Sequence, residues 1–119
     1  GPVSAPNSFF SSVAQLCSQI RANGAVPILY ATWAYEKGGG KLAAKGWDYD
    51  EMAHQLSDAY RKAALEHHAL IADVGQRFYQ LSPTEHLYAA DGVHPNELGT
   101  HIAAQTIAAV ISQHKETQP

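Results

Sequence analysis

Apolar residues recur every three or four positions in three parts of the chain, and this period predicts three helices. The first is expected between Ser8, as N-cap, and a stop at Gly24, and the second from "DYDEM" to His67 and His68. The third covers "ELGTHIAAQTIAAVISQ" and is followed by a frayed polar tail, "HKETQP". The predicted buried faces are Phe9, Val13, Leu16 and Ile20; then Met52, Leu56, Tyr60 and Ala63; then Leu98, Ile102, Ala103, Ile107, Val110 and Ile111.

Two short, continuously apolar runs separate these helices. "AVPILYAT" and "ALIADVG" contain β-branched residues and end at turn residues, which predicts two strands buried on both faces. "QRFYQL" is expected to form a short helix after the second strand. The glycine-rich segment "WAYEKGGGKLAAKGWD" is predicted to be a long flexible loop, and long loops in compact domains are more often functional than accidental.

The order helix, strand, helix, strand, helix predicts an α/β layer fold with parallel strands. Two strands are too few for an independently stable sheet. We therefore expect residues 1–119 to be one domain or the C-terminal βαβα portion of a larger one, incomplete alone. The missing strands would come from an upstream part of the protein, from another chain or from a second copy of this one.

Composition and charge narrow the possible functions. The chain has 45% hydrophobic residues and a net charge of −3 without a basic cluster, which argues against nucleic acid and against an anionic membrane surface as partners. Apolar runs are far too short to span a membrane. Cys17 has no second cysteine to pair with and is expected to be a buried apolar residue in the first helix. Neither a zinc-ligand pattern nor a phosphate-loop motif is present, so no metal or other cofactor is expected.

The stretch "YAADGVHPNELG" brings an acid and a histidine together just before the last helix. A loop that turns into a helix can hold residues i and i+3 on one side, so Asp91 can accept a hydrogen bond from one ring nitrogen of His94. The other nitrogen is then free to take a proton from a nucleophile. Pro95 stiffens the backbone after His94. The pair supplies a general base and its orienting carboxylate, while a nucleophile and oxyanion donors must come from elsewhere.

The block "DGVHPNELGTHIAAQTIAAVI" resembles the last conserved block of the SGNH/GDSL hydrolases, which carries an Asp-x-x-His pair before the C-terminal helix. The two strands and their spacing also fit the second half of that fold, so the resemblance runs from about Phe9 onward. It implies a flavodoxin-like three-layer sheet, with His94 as general base and Asp91 as its partner. The family's Gly-Asp-Ser and Gly-x-Asn-Asp elements are absent, and none of the eight serines lies in a matching context, so the chain alone is expected to be inactive.

The resemblance implies a serine ester hydrolase that cleaves an O-acyl ester, such as an acetyl group on a carbohydrate, with this chain contributing Asp91 and His94. Trp33 and Tyr35 follow the first strand, where open α/β sheets bind ligands, so they line a substrate cleft or else cover the edge of the core. Asp73, at the end of the second strand, is expected to cap or fix a loop. The alternative is a non-catalytic module that binds a ligand or protein partner through the Trp33–Trp47 loop.

Overall fold

The computed structural model describes residues 1–118 and contains five helices and a parallel two-stranded sheet in that range. The elements are α1 (Pro6–Ala22), β1 (Ile28–Ala31), α2 (Gly40–Lys45), α3 (Tyr49–Glu66), β2 (Leu70–Asp73), α4 (Val74–Leu81) and α5 (Glu97–Thr117). The mixed α/β class, the parallel strands and the short helix after β2 are confirmed.

The sheet consists of β1 paired with β2, in a register that sets Ile28 opposite Leu70 and Ala31 opposite Asp73. Both strands therefore end at the same edge, and the segments that follow them start side by side. Within residues 1–118 each strand has one hydrogen-bonded neighbour, so the outer edge of β1 has no strand against it. Tyr30 on β1 is 42% exposed. The three-layer arrangement around a larger sheet stays a prediction.

Buried side chains between the helices form three small clusters. α1 and α3 meet at Val13, Cys17 and Ala63, so Cys17 is buried as predicted. The other two clusters lie at the end of the sheet where the strands finish. One joins α2 to α3 and the other joins α4 to α5; they are formed by Ala34, Leu42, Tyr49, Met52 and Leu56, and by Val74, Phe78, Leu87, Tyr88 and Ala103.

Close backbone approach fixes how α4 leaves the sheet. A Cβ atom on Gly75 would lie 2.1 Å from the carbonyl oxygen of Thr32, which is the residue directly after β1. Only a glycine allows the first turn of α4 to pass so near that backbone. The packing places α4, and the loop that follows it, beside the segment that leaves β1.

Several sequence-based boundaries were wrong. α1 begins at Pro6 rather than after Ser8, because proline has the dihedral angle of a first helical turn. The glycine-rich segment contains α2, which forms because Leu42 is buried against the core. α5 continues to Thr117 instead of fraying after Gln113; Pro119 lies outside the described residues.

The predicted inner face of α5 was also too wide. Ala103 is buried as expected, but Leu98 and Ile111 are each 40% exposed. The helix contacts α4 and β2 along a narrower stripe than its apolar residues cover. Among residues 1–118, no helix combines the length and the apolar character needed to cross a membrane.

Candidate active site

The loop between α4 and α5 holds Asp91 and His94 in direct contact. Oδ2 of Asp91 lies 2.5 Å from Nδ1 of His94, and Oδ1 accepts the backbone N–H groups of Val93 at 2.9 Å and of His94 at 3.0 Å. An ionised carboxylate can only accept hydrogen bonds, so the ring nitrogen that faces it carries a proton and Nε2 is left as the acceptor. This local pattern is an Asx-type turn that also orients an imidazole.

The same contacts stabilise the charged form of the acid. The hydrogen bond from His94, followed by those from the two backbone N–H groups, lowers the pKa of Asp91 from 3.8 to about 2. The Asp91 carboxyl is therefore ionised at neutral pH. The side chain of His94 is 77% exposed, so a reacting group can reach its outer nitrogen.

Backbone bonds fix the loop around this pair. The carbonyl oxygen of His94 accepts from Ala89 N at 2.8 Å, and Gly92 N donates to Ala89 O at 3.0 Å. Gly92 has a φ of +68°, a conformation that favours glycine. Asn96 then caps α5 by accepting from Gly99 N at 2.8 Å, while its amide donates to the carbonyl oxygen of His86 at 2.9 Å. His94 thus stands between a closed turn and a capped helix.

A cleft of about 330 Å³ opens beside His94. Its wall is mainly apolar and aromatic, which is typical of small-molecule sites. The lining residues are Gly1, Pro2, Val3, Ser4, Thr32, Trp33, Tyr35, Trp47, Met52, Leu56, Tyr60, Val93 and His94. The structure therefore brings all four predicted site residues to one place, with His94 beside the aromatic wall and Asp91 directly behind it.

Trp33 and Tyr35 contribute to this wall in different ways. Tyr35 stacks on Trp47 with the rings parallel within 4° and their centroids 6.3 Å apart, and Nζ of Lys45 lies 5.5 Å from the Trp47 centroid. Nε1–H of Trp33 donates a hydrogen bond to the carbonyl oxygen of Val93, and its ring stacks on Phe78. From the sequence, Trp47 was named only as the end of the loop that could bind a ligand in the alternative function, and not as a residue lining the catalytic cleft.

Asp73 has the structural role expected of it. Its Oδ1 accepts from Gln76 N at 3.1 Å and caps α4, and its Oδ2 lies 3.1 Å from a guanidinium nitrogen of Arg61. In the described part of the chain, no three His, Cys, Asp or Glu side chains form a group that can hold a metal ion. Ser4 lines the cleft and was not singled out from the sequence, because a serine in an N-terminal loop matches no nucleophile motif.

The chain is similar to a protein of known structure. A solved structure of a "putative SGNH hydrolase" from Slackia heliotrinireducens superposes on it with a TM-score of 0.87 and 40% sequence identity. The match covers 93% of this chain and 60% of that one, so the chain spans about three fifths of the neighbour's length. No family model matches the chain, and no curated protein matches it. The likeness supports the resemblance to SGNH hydrolases at the level of the fold.

Proposed function

We propose that this chain, which has an SGNH hydrolase-like fold, is the C-terminal part of a serine ester hydrolase and contributes Asp91 and His94 to its active site. The observation that carries this proposal is the contact of 2.5 Å between Asp91 Oδ2 and His94 Nδ1, with the histidine exposed beside an aromatic cleft. A hydrogen bond between residues three positions apart at the start of a helix would form without a cleft and without an exposed imidazole. General-base catalysis requires the hydrogen bond, the cleft and the exposed imidazole together.

In the proposed reaction, Nε2 of His94 accepts the proton of a serine hydroxyl while the serine oxygen attacks the ester carbonyl carbon. Asp91 keeps the ring in the correct tautomer and stabilises the imidazolium that forms. The tetrahedral intermediate collapses, the alcohol leaves with the proton from Nε2, and the acyl group stays on the serine. Water, deprotonated by the same nitrogen, then releases the carboxylic acid and regenerates the serine.

We propose that the serine comes from outside this chain. The sequence has no Gly-Asp-Ser, and the chain spans only 60% of the length of the neighbouring structure. The outer edge of β1 has no strand against it within residues 1–118. A further parallel strand at that edge would end on the same side of the sheet as the cleft. The strand and the nucleophile would belong to an upstream part of the protein or to a second copy.

We propose an O-acyl ester as substrate, with an acetylated carbohydrate as the favoured form. Support comes from the half-buried rings of Tyr35 and Trp47, which line the cleft beside His94. Large ring faces of this kind supply apolar contact area with little loss of side-chain freedom, which suits the C–H face of a sugar. A cleft of about 330 Å³ is at the lower end of the size of small-molecule sites. No cofactor takes part.

A second function, non-catalytic binding of a ligand or protein by the Trp33–Trp47 loop, is favoured by one observation. The aromatic wall of the cleft belongs to this chain, whereas the expected nucleophile motif does not. A binding module would keep its affinity for a ligand when His94 is replaced. An esterase would keep affinity and lose turnover.

The test is made on the protein encoded by the complete reading frame that contains this chain. We expect a fluorophosphonate probe to label a serine in it and p-nitrophenyl acetate to be hydrolysed. His94→Ala and Asp91→Asn should each lower kcat by at least about 10³-fold. His101→Ala, which removes an exposed histidine on α5, should leave kcat unchanged within about 2-fold.

The 119-residue chain provides the complementary measurement. We expect no labelling by the fluorophosphonate probe when it is tested alone. Labelling that disappears in Ser4→Ala would instead identify the cleft serine as the nucleophile and refute an external one. An intact protein that hydrolyses the ester equally well with His94→Ala would refute the esterase proposal itself.

A further inference from the structure

Trp33 is held rigidly by contacts behind the cleft. Its ring stacks on Phe78 with the centroids 4.6 Å apart and an interplanar angle of 15°. Phe78 lies in the core and is 1% exposed, so the position of the indole is set by a part of the protein that cannot move freely. Its Nε1–H donates to the carbonyl oxygen of Val93 at 2.8 Å. A side chain free to adapt to a ligand would not be fixed at both its face and its edge.

That hydrogen bond acts on the peptide unit that joins Val93 to His94. The carbonyl of this unit accepts from Trp33, and its N–H group, on His94, donates to Asp91 Oδ1 at 3.0 Å. A trans peptide is planar, with its C=O and N–H pointing in opposite directions. Fixing the carbonyl therefore fixes the direction in which the N–H group meets the Asp91 carboxylate.

The preceding peptide unit is held in the same way. Its carbonyl, on Gly92, accepts from Glu36 N at 2.8 Å, and its N–H group, on Val93, donates to Asp91 Oδ1 at 2.9 Å. Two successive peptide units thus lie between the segment after β1 and the Asp91 carboxylate. The hydrogen bond to the Gly92 carbonyl is donated by the backbone N–H of residue 36, so any residue except proline at that position can donate it. The bond at Val93 depends on the side chain of Trp33.

We propose that Trp33 is a positioning residue for the Asp91–His94 pair, whose indole N–H orients the Val93–His94 peptide and through it the carboxylate that holds the imidazole. From the sequence, Trp33 was expected to line a substrate cleft or to cover the edge of the core; the role proposed here is support of the acid–base pair. What the pair catalyses rests on the proposed function, but the geometry of the pair does not. Phenylalanine at this position would keep an aromatic ring against Phe78 and lose the donor.

The experiment measures the pKa of Asp91 in the 119-residue chain by carbon NMR of its carboxyl group. Trp33→Phe should move this pKa from about 2 back toward 3.8, because the hydrogen bonds that lower it lose their alignment. Trp47→Phe is the matched control: the chain has two tryptophans and both line the cleft, but Trp47 contacts Tyr35 and Lys45 instead of the loop. The control should leave the Asp91 pKa at about 2. A folded Trp33→Phe variant with that same value would overturn the proposal.

A second measurement does not depend on whether the variant folds. In the unmodified chain, the indole N–H of Trp33 should exchange with solvent at least about 10-fold more slowly than that of Trp47, because it is hydrogen-bonded. Equal exchange rates would contradict the contact on which the proposal rests. Neither measurement uses a substrate, so a failed esterase assay would leave both results standing.

In an active intact enzyme, the two possible roles of Trp33 separate kinetically. A positioning residue predicts that Trp33→Phe lowers kcat by about 10–100-fold and changes KM by less than about 2-fold. A raised KM with unchanged kcat would show that Trp33 acts by contacting substrate and would refute the positioning role. Trp47→Phe is expected to give that second pattern, as a wall residue of the cleft.

Discussion

Replacing Gly99 by alanine tests how tightly the last helix is set against the loop that carries the acid–base pair. A Cβ atom at this position would lie 2.3 Å from the carbonyl oxygen of Leu87, 3.0 Å from Cβ of Pro95 and 3.1 Å from Cζ of Phe78. The first distance is shorter than carbon and oxygen tolerate. The Leu87 carbonyl cannot turn away freely, because it accepts from Asn96 N at 2.9 Å. Gly99→Ala must therefore displace α5 or the loop.

The size of the effect follows from two opposing terms. Overpacking a tight contact lowers the free energy of unfolding by about 1–3 kcal/mol. The loss at this position should be about 3 kcal/mol, because the added methyl group meets backbone. The higher helix propensity of alanine relative to glycine raises the free energy of unfolding by about 1 kcal/mol. We expect a net loss of about 2 kcal/mol in the free energy of unfolding. For a slope of about 1–3 kcal/mol/M in urea, the unfolding midpoint should fall by roughly 1 M.

Gly40→Ala is the matched control. Gly40 is also in a helix, at the first position of α2, and a Cβ atom there would meet nothing within 4 Å. This variant should be as stable as the parent chain or more stable by up to about 1 kcal/mol. Urea unfolding followed by far-ultraviolet circular dichroism measures both. If Gly99→Ala were stabilised to the same extent as Gly40→Ala, the close approach of α5 to the loop would be wrong.

Two further predictions concern the same loop. Since the folded state lowers the pKa of Asp91 to about 2, its ionised form adds stability above pH 4 that is lost as the pH falls toward 2. The difference in unfolding free energy between the parent chain and Asp91→Asn, measured by urea unfolding, should therefore shrink across that range. An equal difference at pH 2 and pH 6 would refute the lowered pKa of Asp91. Asp58→Asn, at an exposed site on α3, is the control. Asn96→Ala should cost about 1–2 kcal/mol in thermal unfolding, because the cap and the bond to His86 are both lost; an unchanged midpoint would contradict it.

Within the site, contacts between residues close in sequence could be predicted, whereas contacts between residues distant in sequence could not. Asp91 and His94 are three residues apart, so loop geometry alone brings them into contact and the sequence was sufficient to predict the pair. Trp33 and Val93 are 60 residues apart, and no local pattern indicates that an indole N–H would meet that carbonyl. The position of Trp33 after a strand predicted that it would lie at the cleft. Its fixed orientation came from stacking on Phe78, a contact of the folded core.

The sequence by itself determined the α/β class, the order of most helices and strands, the parallel pairing and the Asp91–His94 element. These depend on the period of apolar residues and on spacings of a few residues, which are local properties of a chain. Tertiary structure decided the rest. Burial of Leu42 turned a glycine-rich segment into α2, and close backbone approach at Gly75 and Gly99 set α4 and α5 against their neighbours. Such contacts join residues distant in sequence, so their geometry exists only once the core has packed.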